Sequence, residues 1–415
     1  MPSSGFRVAV TPNVAPSPEP MLARLPNDQP LESSADPPRF ARRPLSETAF
    51  AVPNSAGSMI LLSSDGKRAS GSDLNQSDLP IFNQDWWITI ARGSSEYREL
   101  RIVDGDAVLG KLPYVLSRNH GLFRAHDPHW SHLGGPIVDE RLSRKEQAEV
   151  VQQLLAKFPR WCSGHFVCNP NRSYADLVRD AFKRAGFEHT AQTTYVRYPT
   201  DAPVTNLRKG KHNGHIRRAS QKLDCVDISA TEFVRFYEAN LKAKTKTSYA
   251  PPEIVARLTD EAVRRGQARV IAASPKDSSA AANDSRLALY DAAIVYVWDQ
   301  SHCYYWMSTR RPHSSENSYP KPHPDAIKFL AMQAMQHAQE MKLIFDADGV
   351  TTPGSENLYR NMFGLRKEER RDVFQRITAW ERFVRNVVRK SKAAFAFMPS
   401  ARHSRLGRTQ RMQAR

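Results

Sequence analysis

Long apolar runs are missing from this chain. No stretch approaches the roughly 20 residues that a bilayer core demands, so nothing reads as a membrane span. The first residues, Met1-Pro-Ser-Ser-Gly5, lack the apolar core of a secretory leader, and the expectation is a cytoplasmic protein. Cysteine is scarce. Cys162, Cys168, Cys225 and Cys303 show no disulfide rhythm and suit a reducing compartment. Cys162, His165 and Cys168 lie close together, but a zinc site would need a partner cluster that the sequence does not offer. They are expected to be ordinary residues, and no metal is expected.

Acidic residues are absent from two segments, and this explains the formal charge of +17. From Arg382 to Arg415 there are ten Lys/Arg and no Asp/Glu; from Leu207 to Lys222 there are six more, again without acid. The remainder is nearly neutral, so the excess belongs to a tail and one short segment. Such segments bind polyanions or an anionic membrane surface non-specifically, or are simply solvated.

Sustained periodicity is absent from residues 1–77, which are rich in Pro, Ser, Ala and Asn and read as disordered. A helix is expected around Leu79–Ile90, with Phe82, Trp86, Trp87 and Ile90 on one broad face. Tyr97–Val103 and Ala107–Leu116 flank an Asp-Gly turn and read as a hairpin. Gly121–Arg124 is extended, and His126–Pro136 is a loop crowded with polar rings. Ser143–Lys157 and Tyr174–Ala185 read as helices, with strands at His165–Cys168 and Thr193–Tyr198. The second part opens with a basic helix, Gly210–Leu223, then helices at Ala230–Lys244 and Pro252–Arg265. Strands follow at Arg269–Ala273, Ser285–Trp298 and His302–Thr309, then a helix at Asp325–Met341. The expected organisation is a tail over 1–77, domains at 78–200 and 203–384, and a basic tail over 385–415. Two α/β units of similar order suggest an internal duplication.

The stretch with the most chemical content is Leu343-Ile-Phe-Asp-Ala-Asp-Gly349, followed by Pro353-Gly354, Tyr359 and Phe363-Gly364. Leu343, Ile344 and Phe345 read as a buried strand, with Asp346 and Asp348 on one side of the pleat at its end. Carboxylates there border ligand sites in α/β proteins; the plain alternative is a cap and a solvated residue.

Four stretches carry a family likeness: Leu112-Pro-Tyr-Val115; Ile216-Arg-Arg-Ala219 within a basic helix; Ala292–Trp298 with Cys303-Tyr-Tyr-Trp306; and the Asp-Ala-Asp-Gly stretch with its Pro-Gly turn. Over about Leu79–Trp380 the chain resembles the FemAB-like, CelD-like branch of the GNAT acyltransferase superfamily. The resemblance implies an α/β (α+β) fold of two tandem GNAT-like domains with mixed, largely antiparallel central sheets. It implies acyl transfer, with acyl-CoA (acetyl-CoA included) as co-substrate, to an amine or hydroxyl of a cell-envelope or polysaccharide-related acceptor. That acceptor is a small molecule, glycan or peptide. Two alternatives accompany it: an aminoacyl-tRNA-dependent ligase, and a non-catalytic GNAT-like module anchored by its basic tail to membrane or nucleic acid.

In that family the donor's pyrophosphate meets backbone amides at a helix start, which here maps onto Arg310–Ile327. The usual glycine-bearing loop is missing, since no glycine lies between Arg310 and Leu330. Arg310, Arg311 and Lys321 supply charge instead, with Ala326 at the helix start. Asp325 stands where an anion would. Asp346 or Asp348 is the candidate base, and Tyr305 or Tyr359 the candidate proton donor to the leaving group. His129 and Trp130, in a loop that otherwise reads as solvated, and Arg217 and Arg218, on a helix that otherwise reads as solvated, are the candidate substrate-binding residues.

Overall fold

The computed structural model describes residues 52–53, 59–63, 74, 78–104, 107–119, 122–208, 214–248, 251–276, 290–312, 321–347, 356–384 and 386–387. The first half runs β1 (Val52–Pro53), β2 (Met59–Ser63), a 3-10 turn (Ile81–Asn83), α1 (Asp85–Ala91), β3 (Glu96–Asp104), β4 (Ala107–Asn119), β5 (Leu122–His126) and β6 (Ile137–Val138). It continues through α2 (Arg144–Lys157), β7 (Ser163–Cys168), α3 (Ala175–Arg184) and β8 (Glu188–Arg197). The second half runs α4 (Gly214–Lys222), β9 (Leu223–Asp227), α5 (Ala230–Ala243), α6 (Pro252–Arg264), β10 (Ala268–Pro275), β11 (Ala292–Trp298), β12 (His302–Arg310) and α7 (Ala326–Glu340). It ends with β13 (Ile344–Asp346), a π-type turn (Asn357–Met362) and β14 (Arg366–Arg376). Local chemistry sets several starts. Ser143 with Glu146 and Ser229 with Glu232 form reciprocal capping boxes that open α2 and α5, and Pro252 sits in the first turn of α6.

The strands join in one mixed, largely antiparallel sheet ordered β1-β2-β3-β4-β5-β7-β14-β8-β13-β12-β11-β10-β9, with β6 on β4. The α/β architecture expected from the sequence is what the chain adopts. Within the sheet one pattern occurs twice. An antiparallel meander (β3-β4-β5, then β10-β11-β12) leads into a helix (α2, then α7). The next strand then returns parallel to the last one of the meander (β7 on β5, then β13 on β12). The halves fuse where β13 pairs with β8, and β14, from the end of the second half, inserts between β7 and β8.

Four strands depart from the sequence reading. Residues 1–77 were expected to hold no element, yet β1 and β2 extend the edge of β3; the rest of that stretch, Leu74 apart, lies outside the described residues. Met-Ile-Leu-Leu-Ser is a short run inside a Pro/Ser-rich composition, and the β3 edge supplies its partner. The basic helix was expected to run through Leu223, the first residue of β9, and nothing was expected over 224–227; β14 had no expectation at all.

Helices cover both faces. α2 and α3 bury Val150, Val151, Leu154, Val178 and Phe182 against Leu112 and Phe166 of the first half and Phe374 of the inserted β14. In the second half, α4 and α7 cover one face, which carries Ile294, Tyr296, Cys303 and Phe345. α1, α5 and α6 cover the other, which carries Val295, Val297, Tyr304 and Trp306. Neighbouring residues of β12 and β13 therefore point to opposite layers, as period two requires.

Candidate active site

The repeated pattern creates two equivalent notches. β5 and β7 share three residue pairs, Arg124–Ser163 to His126–His165; β12 and β13 also share three, His302–Ile344 to Tyr304–Asp346. Beyond its third pair each couple parts, leaving a gap edged by backbone groups that need partners.

The first notch is sealed from within. Gly134 N–H donates to the Val167 carbonyl (2.6 Å), Val167 N–H donates to Asp127 Oδ2 (2.7 Å), and Gly135 N–H donates to Asp127 Oδ1 (3.0 Å). The fit requires both glycines: a Cβ at Gly134 would stand 2.0 Å from Asp127 Oδ1, and Gly135 has φ +78° with Cys168 Sγ 2.2 Å from a Cβ position. Loop 127–135, expected to be solvated, is instead packed down. The Trp87 indole N–H donates to Ser131 Oγ (3.1 Å), and the Trp306 indole N–H donates to the Trp130 carbonyl (3.0 Å). His132 stacks on Phe82, and His129 Nε2 lies 3.1 Å from Ser95 Oγ. His129 and Trp130 thus sit where the two halves meet, and Asp127 organises the loop that carries them.

Burial pushes the Asp127 pKa up to about 7, against the two backbone donors that favour the carboxylate. An acid with a raised folded-state pKa binds a proton more tightly when folded. Its contribution to stability is therefore full below the ordinary carboxylate pKa and declines as pH rises towards 7. At pH 5 the folded carboxyl already carries a proton, so Asp127→Asn exchanges an O–H for an NH2 in the same place and should cost at most about 1 kcal/mol there. It should also flatten that decline. Urea unfolding of both proteins at pH 5 and pH 8 checks this, and an unchanged pH slope in the variant would count against it.

The second notch has no such plug among the described residues. β13 follows β8, with Phe345 opposite Arg197, Asp346 opposite Val196, and Ala347 N–H donating to the Tyr195 carbonyl (2.9 Å). β12 meanwhile continues for six residues, Tyr305–Arg310, with only β11 beside it among the described residues. At its far end a groove of about 260 Å³ is lined by Tyr237, Asn240, Lys244, Ser308, Arg310 and Ile327. Asn240 is fixed there by donating to Thr309 Oγ1 (2.9 Å), both residues being buried. Arg310 Nε is buried and has no hydrogen-bond partner among the described residues.

The start of α7 is occupied by its own chain. Asp325 binds Lys328 Nζ (2.6 Å) and His215 Nδ1 (3.2 Å), and Arg218 reaches the same imidazole (3.1 Å). Burial works to raise the Asp325 pKa, but Lys328 and His215 outweigh it and hold it below the usual range. Arg311 turns inward to Asp291 (2.7 Å), Lys321 is exposed, and Ala326 is fully buried, so only its backbone is offered. Arg218 thereby joins the α7 start, whereas Arg217 is exposed on α4.

Asp346 closes the neck of the second notch. It is 4 % exposed, and Arg370 Nε stands 3.9 Å from its Oδ2. Burial raises its pKa against the pull of Arg371, Arg370 and His302. The two arginines arrive together because β14 bulges against β8 between Glu369 and Arg371. Arg370 also contacts His302 Nε2. Next to this, Asp299 Oδ1 accepts from Ser301 N–H, Ser301 Oγ–H and His302 N–H (2.9 Å each), and Asp299 Oδ2 accepts from Ile81 N–H (3.4 Å). Asp348 lies outside the described residues.

Tyr305 and Tyr359 lie on the α7 side of the sheet, packed on the same core as Tyr195, whose ring is 5.5 Å from that of Tyr359. Asp346, which pairs with Tyr304, belongs to the opposite side. The sequence reading therefore grouped a carboxylate and two phenols that the sheet separates. It missed Asp299, which an Asp-x-Ser turn after a strand signals, and Arg370 and Arg371, which no local pattern marks. Among the described residues no group of three or more His, Cys, Asp or Glu is placed to hold a metal.

No protein-family model and no curated protein matches the chain. Among solved structures it is similar to FemX, at 9 % identity and a TM-score of 0.48, over 74 % of this chain and 94 % of that one. It is similar to a tandem GNAT protein from the clavulanic acid biosynthesis pathway, at 11 % identity and a TM-score of 0.38, over 68 % and 83 %. It is also similar to a GNAT-family acetyltransferase from Colwellia psychrerythraea, at 10 % identity and a TM-score of 0.38, over 73 % and 92 %.

Proposed function

We propose that this chain is an acyltransferase that takes an acyl-CoA, such as acetyl-CoA, in the notch beside β12. It passes the acyl group to an amine or hydroxyl of a small-molecule, glycan or peptide acceptor of cell-envelope or polysaccharide type. The observation that carries this reading is the contrast between the two notches: one is plugged by its own loop, and the other leaves the Tyr305–Arg310 edge without a partner strand among the described residues. Backbone N–H and C=O groups on a strand edge can pair with the amides of an extended pantetheine arm. Arg310, with a buried donor unused, suits the donor's phosphates.

Attack by the acceptor's N or O forms the new bond to the acyl carbon and breaks the C–S bond, and the proton shed by the acceptor's N–H or O–H passes to the departing thiolate. Burial raises the pKa of both Tyr305 and Tyr359, so each stays protonated and can hand its O–H proton to the thiolate only while regaining one from the acceptor, as a relay. Isothermal titration with acetyl-CoA and longer acyl-CoAs tests the reading. Binding is expected, and Arg310→Ala should weaken it about tenfold to a hundredfold, the loss of a charge-assisted hydrogen bond. No binding to any acyl-CoA overturns it. A tRNA-borne aminoacyl donor is the second reading, favoured by exposed Arg217 and Arg218 on the helix that meets the α7 start. Retention of charged tRNA on filters would support that one.

A further inference from the structure

Among the described residues, three of the five exposed large apolar side chains fall on one short segment: Trp380 (60 % exposed), Phe383 (59 %) and Val387 (46 %), with Trp161 (59 %) and Val263 (47 %) outside it. Trp380, Phe383 and Val387 fall at i, i+3 and i+7 of a helical segment over 379–384 and 386–387, which puts them on one stripe. The segment is built to hold its orientation. Thr378 Oγ1 accepts from Glu381 N–H (3.2 Å) as an N-cap, and Thr378 N–H donates to Ser163 Oγ (3.1 Å). Glu381, 1 % exposed, pairs with Arg124 at 2.6 Å. Trp161 is a separate exposed aromatic: it meets Phe123 edge-on at 5.1 Å, on the face of β5 opposite Arg124.

We propose that this stripe is a docking surface for an anionic lipid bilayer. Charge complementarity selects the occupant. Exposed Arg382 sits between Trp380 and Phe383 in the segment, and the sequence from Arg385 to Arg415 adds nine Lys/Arg with no Asp or Glu. An apolar, tryptophan-bearing helix face flanked by cations suits the interfacial zone of a membrane with negative headgroups. Single-stranded nucleic acid fits less well. Trp380 and Phe383 stack on each other, 5.6 Å apart at 22°, so each already has an aromatic partner on one face, and Val387 offers no base platform. Arg124 neutralises Glu381, the one acid of the segment, which is itself turned inward at 1 % exposure. None of this depends on which acyl donor the protein uses.

Vesicle flotation with the full chain is the test. Binding is expected to phosphatidylcholine vesicles containing about one-third phosphatidylserine, and not to phosphatidylcholine alone; it should weaken with salt. The double variant Trp380→Ser/Phe383→Ser should bind about tenfold less or weaker still, because the apolar contribution scales with buried area. Its circular dichroism and thermal midpoint should match those of the parent, since both side chains are exposed. Four outcomes would overturn the proposal: no binding of the parent to anionic vesicles, equal binding by the double variant, a preference for RNA that depends on Trp380, or a parent dimer that the double variant dissociates.

Discussion

Asp346→Asn is expected to lower the unfolding free energy by about 3–5 kcal/mol, the cost of breaking a buried ion pair on one side. Arg370 and Asp346 are both nearly inaccessible, 8 % and 6 % by side chain, and Arg371 adds a second, half-buried guanidinium nearby. Removing the carboxylate charge leaves both cations in a poorly solvated neck. The location amplifies this, because Asp346 belongs to β13, while Arg370 and Arg371 belong to β14, which pairs with β7 and β8 of the first half. The ion group thus fastens the closing strand of one half to the sheet of the other. Replacing Arg370 with Met in the same molecule should recover part of the loss, since one of the two cations left at the site is removed, though Glu368, 3.7 Å from Arg370, loses a partner. Urea titrations of the two single variants and the double variant measure it. If Asp346→Asn unfolds at the parent's midpoint, the carboxylate is not a strut.

Trp87→Ala is the second large effect, expected at about 3–5 kcal/mol for emptying a fully buried aromatic site. Trp87 is wholly inaccessible and meets Phe82 at 5.1 Å and Trp306 at 5.1 Å, both edge-on. Its indole N–H also holds Ser131 in the loop that plugs the first notch. One side chain therefore touches α1's own approach, the second half's β12 and the first half's loop. Trp87→Phe should recover part of the stability but not the hydrogen bond. Calorimetric unfolding of both variants decides the matter; a loss below about 1 kcal/mol for the alanine variant would contradict a clamp at this position.

Much of the helical layer was legible because its signals are local. Ser143 with Glu146, Ser229 with Glu232, and the apolar face of Ala326–Glu340 announce helices to within a residue or two. The Asp-Gly hairpin and the meander β10–β12 were readable for the same reason. β14 was not. Arg-Lys-Glu-Glu-Arg-Arg-Asp carries no buried alternation, and it is a strand because β7 and β8 offer it two open edges. β9 was hidden because Leu-Asp-Cys-Val-Asp is a short run with two acids and little apolar signal, and it is a strand because β10 provides an edge.

The candidate site divides along the same line. The sequence by itself determined that Asp346 ends a buried strand, that basic residues cluster near Arg310, and that histidine and tryptophan crowd one loop. Each is a statement about neighbours along the chain. Only the tertiary structure decided that Asp346 faces two arginines from another strand, that Tyr305 lies across the sheet from it, and that Asp127 plugs one notch while its counterpart stays unplugged among the described residues. Those outcomes depend on which strand edges meet, and edges pair across more than 150 residues by backbone geometry, which side-chain identity does not encode locally.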